Sequence, residues 1–426
     1  MSPTIFISAG EASGEHYGAL LTDALKKQLA ANGQTAQFFG MGGERMEAAG
    51  LKRVVRSEDM AVMGFTEVIR HLPRIYGEFR KLKRAIRARR PDVAVLIDFP
   101  EIHFRLAEEF HRLGVPVIYF VSPQLWAWKK HRIKLVQKYI RKMLVIFPFE
   151  EPFYRERGVE AEFVGHPLAE LPLPTISREQ FAAENGLDPA KAWIGLLPGS
   201  RPKEISDNLP EMIRAAILLF HDYHLEQGNP EPQFIIPLAP TLTAPQRCAA
   251  KETVNQLCED LTVRLIDDIG AEGAVGPTAG GARATLYHAR ASVVASGTAT
   301  VEAALIGNPF VVVYRVSPVT FAIAKRVVKV PFVAMANLIA GKLVVPELIQ
   351  HDFTAANIVQ QIARLLPDGA PRQSMMKELA AIRHVLSARP SSRKDEDQGA
   401  IERVAAITLE QTGAASPAAT EKTVQF

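Results

Sequence analysis

Two cysteines, Cys248 and Cys258, are all that the 426 residues contain. With no CxxC spacing and no Cys/His set beside them, they support neither a disulfide scaffold nor a structural zinc site, and a reducing compartment fits. No run of eighteen apolar residues occurs, the most apolar region being broken by Glu302 and Pro309, so no membrane span is expected. The start, Met1-Ser-Pro-Thr-Ile-Phe-Ile-Ser, lacks a basic segment and soon meets Glu11 and Glu15; it reads as a first strand and not as a signal peptide. Charge of one sign is also scarce. Fifty Lys and Arg against 46 Asp and Glu leave +4, too little to indicate nucleic acid. With 47% hydrophobic and 23% charged residues, general disorder is excluded.

What is present is an alternation of apolar runs and amphipathic stretches too long for one core, so at least two domains are expected. Thr4–Ser8, Gln37–Phe39, Val93–Ile97, Val115–Val121, Met143–Ile146 and Glu162–Val164 read as strands, with helical patterns between them. A Pro-rich stretch from Gly165 to Pro174 interrupts the series. A second series follows at Trp193–Leu197, Gln233–Ile236, Thr262–Ile266, Ser292–Ala295 and Phe310–Tyr314, with helices such as Glu204–Phe220. The pattern is α/β with two doubly wound parallel sheets, whose strand-end crevices are expected to face each other across a cleft. Expected boundaries are 1–168, a linker at 169–190, a second domain at 191–366, C-terminal helices at 367–411 and a frayed tail at 412–426. Residues 269–284, rich in Gly and Ala, read as a mobile loop.

Residues 292–314 are the most informative: a strand, a turn of small residues, a short helix carrying one acid, and a second strand. Ser296, Gly297, Thr298, Ala299 and Thr300 lack bulk, so N–H groups at a helix N-terminus can close around a diphosphate. Glu302, about one turn inside, can accept two hydroxyl hydrogen bonds, which suits a ribose diol; the plainer alternative is a capped crossover in which Glu302 offsets the dipole. Gly199, Ser200 and Arg201 end the first strand of the second series, where Arg201 can neutralise a leaving diphosphate or simply pair with Glu204. No carboxylate pair with metal spacing lies near them.

In the first series, Glu11, Ser13, Gly14 and Glu15 open a helix directly after a strand. The two acids would repel a pyrophosphate, so a sugar hydroxyl suits the turn better. Asp98 ends Val93–Ile97, and Pro100 suits a first helical position with Phe99 as the cap, which leaves the Asp98 carboxylate to point into the crevice as a general base. Val62, Met63, Phe65, Ile69, Leu72 and Ile75 repeat at helical spacing among many Arg and Lys residues. That stripe is either ordinary core or a face for an anionic membrane surface. Trp126 and Trp128, just before Lys129-Lys130-His131-Arg132-Ile133-Lys134, suit an interfacial acceptor site or a packed pair.

Taken in order, Gly10–Glu15, Ala61-Val-Met-Gly64, Ile97-Asp-Phe-Pro100, Val121-Ser-Pro-Gln-Leu-Trp-Ala-Trp128, Phe147-Pro-Phe-Glu150, Gly165-His166, Leu197-Pro-Gly-Ser-Arg201, Ser296–Glu302, Tyr314-Arg315 and Asn337-Leu-Ile-Ala-Gly341 resemble the bacterial lipid-A-disaccharide synthases over about residues 4–385. The resemblance implies a GT-B glycosyltransferase, peripheral on the cytoplasmic face of the inner membrane. It would move 2,3-diacylglucosamine from UDP to the 6-hydroxyl of 2,3-diacylglucosamine 1-phosphate with inversion. It implies Asp98 as base, Arg201, Glu302 and Asn337 as UDP-site residues, residues 62–86 as the membrane-facing segment, and no metal or cofactor. Glu15 departs from the family's more frequent Asp, the 269–284 loop looks long, and the tail has no counterpart. Partner expectations are the two acylated sugars, an anionic membrane, no nucleic acid, and a homodimer through the C-terminal helices. The alternatives are a UDP-N-acetylglucosamine 2-epimerase-like enzyme of the same architecture and a non-enzymatic peripheral scaffold.

Overall fold

The computed structural model describes residues 2–60, 65–258, 261–267, 281–328, 330–387 and 398–413. They form two compact units, Met1–Glu170 with Leu386–Phe426, and Leu171–Val385. The first unit is built on β1 (Thr4–Ala9), β2 (Gln37–Gly42), β3 (Lys52–Arg56), β4 (Val93–Ile97), β5 (Val117–Phe120), β6 (Lys142–Val145) and β7 (Ala161–Phe163). All pairings are parallel and the order is β3-β2-β1-β4-β5-β6-β7. The second is built on β8 (Trp193–Leu197), β9 (Gln233–Leu238), β10 (Val263–Asp267), β11 (Ala291–Ala295), β12 (Phe310–Tyr314) and β13 (Glu347–Ile349), again parallel, in the order β10-β9-β8-β11-β12-β13.

Central strands are apolar on both faces because helices cover both faces, so every residue of β4, β8 and β11 is buried. Each sheet reverses its winding once. In the first unit the reversal lies between β1 and β4, where Ala9 pairs with Ile97. In the second it lies between β8 and β11, where Leu197 pairs with Val294. Ligands of open α/β sheets bind outside the strand ends at such reversals.

Several elements differ from the sequence expectation. Two edge strands, β3 and β13, were not expected, because edge strands need few apolar residues. The stretch given to a linker contains a helix, Arg178–Asn185, that belongs to the second unit: Phe181, Ala182 and Leu187 bury against Trp193. Residues 269–280 of the expected loop lie outside the described residues, but 281–284 open a helix, Gly281–His288, in which Arg283 is buried. The C-terminal helix Ala400–Gln411 packs on the helix Ala12–Ala31 of its own chain, with Gln28 Nε2 donating to the Glu402 carbonyl at 2.8 Å. Its apolar face, including Val404, Ala405 and Ile407, is buried within the first unit. Residues 414–426 lie outside the described residues.

Among the described residues no helix is long and apolar enough to cross a membrane. In the helix Phe65–Arg89, Leu82 and Ile86 are fully buried and Ile75 and Phe79 pack against the same core. For Ile75 this corrects the membrane reading: its spacing serves the protein interior. Lys83 and Arg87 bind Glu109 of the helix Pro100–Arg112 at 2.7 and 2.6 Å and so join the two helices. Val62 and Met63 lie outside the described residues, as do the side chains of Phe65, Ile69 and Leu72.

Candidate active site

At the reversal of the first sheet, the Asp98 N–H extends the β4–β5 ladder to the Phe120 carbonyl at 3.0 Å, after which the chain turns at once into the helix that Pro100 begins. The turn forces Asp98 and Phe99 into the left-handed region, with φ of 51° and 53°. Such a conformation costs about 1–2 kcal/mol per residue outside glycine. Val121, at the end of the neighbouring β5, has φ 62°, which for a β-branched residue is a true outlier. Strain of this kind clusters at active sites and ligand clamps, which makes this edge a candidate site. Phe99 is the helix cap, as expected from Pro100.

Burial, and then the nearby Glu11 carboxylate, push the Asp98 carboxyl up to about 6, against the Phe99 N–H that favours its charged form. The group therefore stays mostly ionised at pH 7 to 8 while keeping useful basicity. Its backbone carbonyl accepts from His103 Nδ1 and from the Tyr119 hydroxyl at 2.6 Å. His103 Nε2 in turn lies 2.8 Å from Ser8 Oγ.

Glu11 precedes the helix Ala12–Ala31 and makes no side-chain cap to it. Ser13 and Gly14 lie in that helix's first turn, and a Cβ at Gly14 would just touch Ala9 and Ile97, so the glycine allows close helix–sheet packing. Glu15 is engaged within the protein: its Oε1 accepts from the Arg45 N–H at 2.9 Å. Gly10 has no room for a side chain, because the Phe99 ring stands 2.4 Å from where a Cβ would be.

Trp126 is half-buried and edge-on to Phe149, and its indole N–H donates to Glu150 at 3.1 Å. Glu150 is buried, also accepts from Ser122 Oγ at 2.6 Å and from the Phe147 N–H at 3.2 Å, and is raised by burial to about 7 despite these donors. Trp128 differs: it is 42% exposed, with Lys129 Nζ 3.9 Å from its ring centroid. Lys129 and Arg132 both reach Glu101 at 3.1 Å, so two cations of this basic stretch share one carboxylate and the stretch stays net positive. The two tryptophans do not form a packed pair with each other.

In the second unit, two helix N-termini flank the reversal and differ in kind. The helix Pro202–Leu219 is capped from within, because Glu204 accepts from the N–H groups of Ser200 and Arg201 at 3.1 and 3.3 Å. Gly199, at φ 123°, is required there, since a Cβ would stand 2.6 Å from the Glu204 carboxylate. Arg201 does pair with Glu204, at 3.3 Å, and the pair is half exposed and weakly held. Tyr314, at the end of β12, feels the charges of both.

The helix Thr298–Ile306, by contrast, has no side-chain cap and no acid in its first turn. Gly297 and Thr298 are exposed while Ser296 and Ala299 are partly covered, so its first N–H groups are the better anion site of the two. Thr300 departs from the expected ligand role: it is buried, and its hydroxyl donates to the Gly297 carbonyl at 2.7 Å. Glu302 lies 3.8 Å from the buried guanidinium of Arg283.

Asn337 is likewise not placed as a ligand contact. It is fully buried, donates to the Val345 carbonyl at 2.9 Å and to Glu347 at 2.8 Å, and accepts from the N–H groups of Val344 and Val345 at 2.7 and 2.9 Å. All its polar capacity is spent on the loop after the helix Met335–Ala340. Sequence reasoning missed Ser8, His103, Tyr119, Ser122 and Arg283 as site residues; Glu150 stood in a quoted motif without a role. Among the described residues, one His/Asp/Glu group has ligand atoms within 4.8 Å of one another, His221, Asp222 and Glu226, and ion pairs within the group account for it.

A family model described as Lipid-A-disaccharide synthetase matches residues 5–403. The chain is 60% identical to the lipid-A-disaccharide synthase of Acidobacterium capsulatum over 92% of this chain and 94% of that protein. It is 50% identical to that of Koribacter versatilis over 92% and 96%. A UDP co-structure of S. aureus MnaA covers the whole of both chains with a TM-score of 0.58 at 12% identity, a likeness of fold alone.

Proposed function

The chain belongs to the lipid-A-disaccharide synthetase family, with the GT-B fold and the UDP-sugar-dependent glycosyltransferase activity that go with it, and we propose that its donor is UDP-2,3-diacylglucosamine and its acceptor 2,3-diacylglucosamine 1-phosphate. The acceptor's 6-hydroxyl oxygen attacks the anomeric carbon from the face opposite UDP. The bond from that carbon to the β-phosphate oxygen breaks, UDP leaves with the electron pair, and configuration inverts. Asp98 takes the hydroxyl proton. The N–H groups of Gly297, Thr298 and Ala299, with Arg201 released from Glu204, stabilise the charge on UDP, and Glu302 accepts from the ribose.

The observation that carries this reading is the Asp98 carboxylate, raised to about 6 on a strained turn at the sheet reversal. The epimerase alternative shares the fold, but solved UDP-N-acetylglucosamine 2-epimerases are only 12–13% identical, against 60% for the synthase.

Acylated substrates call for peripheral contact with the cytoplasmic face of the inner membrane. The stretch 62–72, followed by the exposed Arg74, Tyr76, Arg80 and Arg84, supplies apolar and cationic groups for it. Mass spectrometry of the product from the acylated UDP-sugar tests the reaction; a 2-epimer of the donor in place of a disaccharide 1-phosphate would refute it. Co-sedimentation with anionic vesicles, lost at high salt, tests the membrane contact.

A further inference from the structure

We propose that His103, with Ser8 and Tyr119, is a positioning residue that holds the Asp98 backbone in the left-handed conformation from which its carboxylate is presented. The inference rests on the reading of Asp98 as base. At the end of β4 the Asp98 carbonyl belongs neither to the strand ladder nor to the following helix, where the His103 N–H bonds the Phe99 carbonyl at 3.1 Å. Left alone below the surface it would be an orphan acceptor, and the turn would relax to satisfy it. Two side chains supply the donors instead, His103 Nδ1 and the Tyr119 hydroxyl.

A carbonyl only accepts, so Nδ1 carries the proton. The ring is neutral, because complete burial holds its pKa down at about 4, and Nε2 must therefore accept from the Ser8 hydroxyl 2.8 Å away. The tautomer thus follows from the network. Ser8 lies on β1 and Tyr119 on β5, so the bonds tie together three neighbouring strands, β1, β4 and β5, beneath the reversal. The Phe99 and Tyr119 rings stand edge-on to the imidazole at 5.8 and 6.1 Å. Fully buried, the imidazole cannot meet a substrate proton itself. Its effect on chemistry runs through the angle at which the next atoms, the Asp98 Cα and carboxylate, leave the backbone.

The test uses the full-length enzyme with His103→Leu, His103→Asn, Tyr119→Phe and Asp98→Asn. A 1 Å misplacement can lower a rate about 100-fold, so His103→Leu is expected to lose kcat on that order while the donor KM and the UDP Kd stay within about threefold. His103→Asn, whose amide nitrogen can stand near Nδ1, should recover kcat to within about tenfold of wild type. Glu11 and Glu101 are the other acids facing Asp98 and Tyr119 the phenol, all shared by the variants; a loosened carboxylate gains solvent, so the acid limb of the kcat/KM profile should move to lower pH in His103→Leu and Tyr119→Phe.

If His103→Leu does not fold, Tyr119→Phe, which removes the other donor to the Asp98 carbonyl, decides alone. Wild-type kcat and an unmoved acid limb in the folded variants, with Asp98→Asn inactive, overturn the positioning role only. An active Asp98→Asn overturns the base assignment and the inference with it.

Discussion

Replacing Asp98 by Asn is expected to abolish turnover and, at the same time, to stabilise the protein. Loss of a general base costs about 100- to 10,000-fold in rate. The stability effect comes from the same environment that makes the group a base. Burial first and Glu11 second move its protonation midpoint from 3.8 to about 6 on folding. Between those values the folded state binds the proton more tightly than the unfolded chain, so stability falls as pH rises through that window and the full penalty is present above it. One pH unit corresponds to 1.36 kcal/mol, so at pH 8 the ionised carboxylate destabilises the native state by about 3 kcal/mol. Asn has nearly the same shape and does not titrate. It forfeits part of the Phe99 N–H interaction, so the expected gain is about 1–3 kcal/mol at pH 8, or roughly 3–10 °C in Tm for a unit of this size, shrinking toward zero at pH 4. Denaturant melts at pH 4.5 and 8 measure it. Trp126 and Trp128 report the first unit and Trp193 the second, so the two transitions can be separated. Equal stability of wild type and variant at pH 8, or a difference that ignores pH, would refute the electrostatic account even if activity were lost.

Arg201→Ala should raise the donor KM about tenfold and leave the melting midpoint of the second unit unchanged, because the exposed Glu204 pair contributes about 0–1 kcal/mol; steady-state kinetics beside a thermal melt separates the two. Asn337→Ala should show the reverse balance. It orphans the buried N–H groups of Val344 and Val345 and a bond to Glu347, so about 3 kcal/mol of stability is expected to vanish in a urea titration, with weaker UDP binding as a consequence. Gly10→Ala places a methyl group against the Phe99 ring, which cannot move without disturbing the turn at Asp98. A loss of about 1–3 kcal/mol accompanied by a fall in kcat is expected, and unchanged kcat in the folded variant would count against the coupling of ring and turn.

The sequence reading reached furthest where one local property was decisive. Val93–Ile97 was read to the residue because a strand buried on both faces is a continuous apolar run, here bounded by Pro91 and Asp98. The position of Asp98 was legible for the same reason: it ends that run just before a helix-starting proline. Lys52–Arg56 and Glu347–Ile349 left no such mark, since an edge strand is half solvated and defined by its neighbour. Periodicity likewise could not say what Ile75 and Leu82 face, because a protein core and a bilayer ask for the same stripe. The support beneath Asp98 was invisible for a topological reason. Ser8, His103 and Tyr119 are 95 and 16 residues apart along the chain, two reading as strand and one as helix, and only the order β1-β4-β5 makes them neighbours.

The second unit shows that some of what was missed was nevertheless written locally. A polar residue beside a Gly-rich turn can serve a ligand or its own backbone, and Arg201, Thr300 and Asn337 were all assigned to the ligand. For two of them the protein's own groups take up the side chain: the Gly297 carbonyl for Thr300, and the Val344–Val345 backbone with the Glu347 carboxylate for Asn337. The discriminating sign was the third helical position. Glu204 stands there in the helix after Ser200 and takes that helix's N–H groups for itself, whereas the helix after Gly297 has Thr300 in its place and no first-turn acid. A diphosphate needs unclaimed N–H groups and an uncontested dipole, so of the two helix N-termini the one at 297–299 is the better suited to an anion.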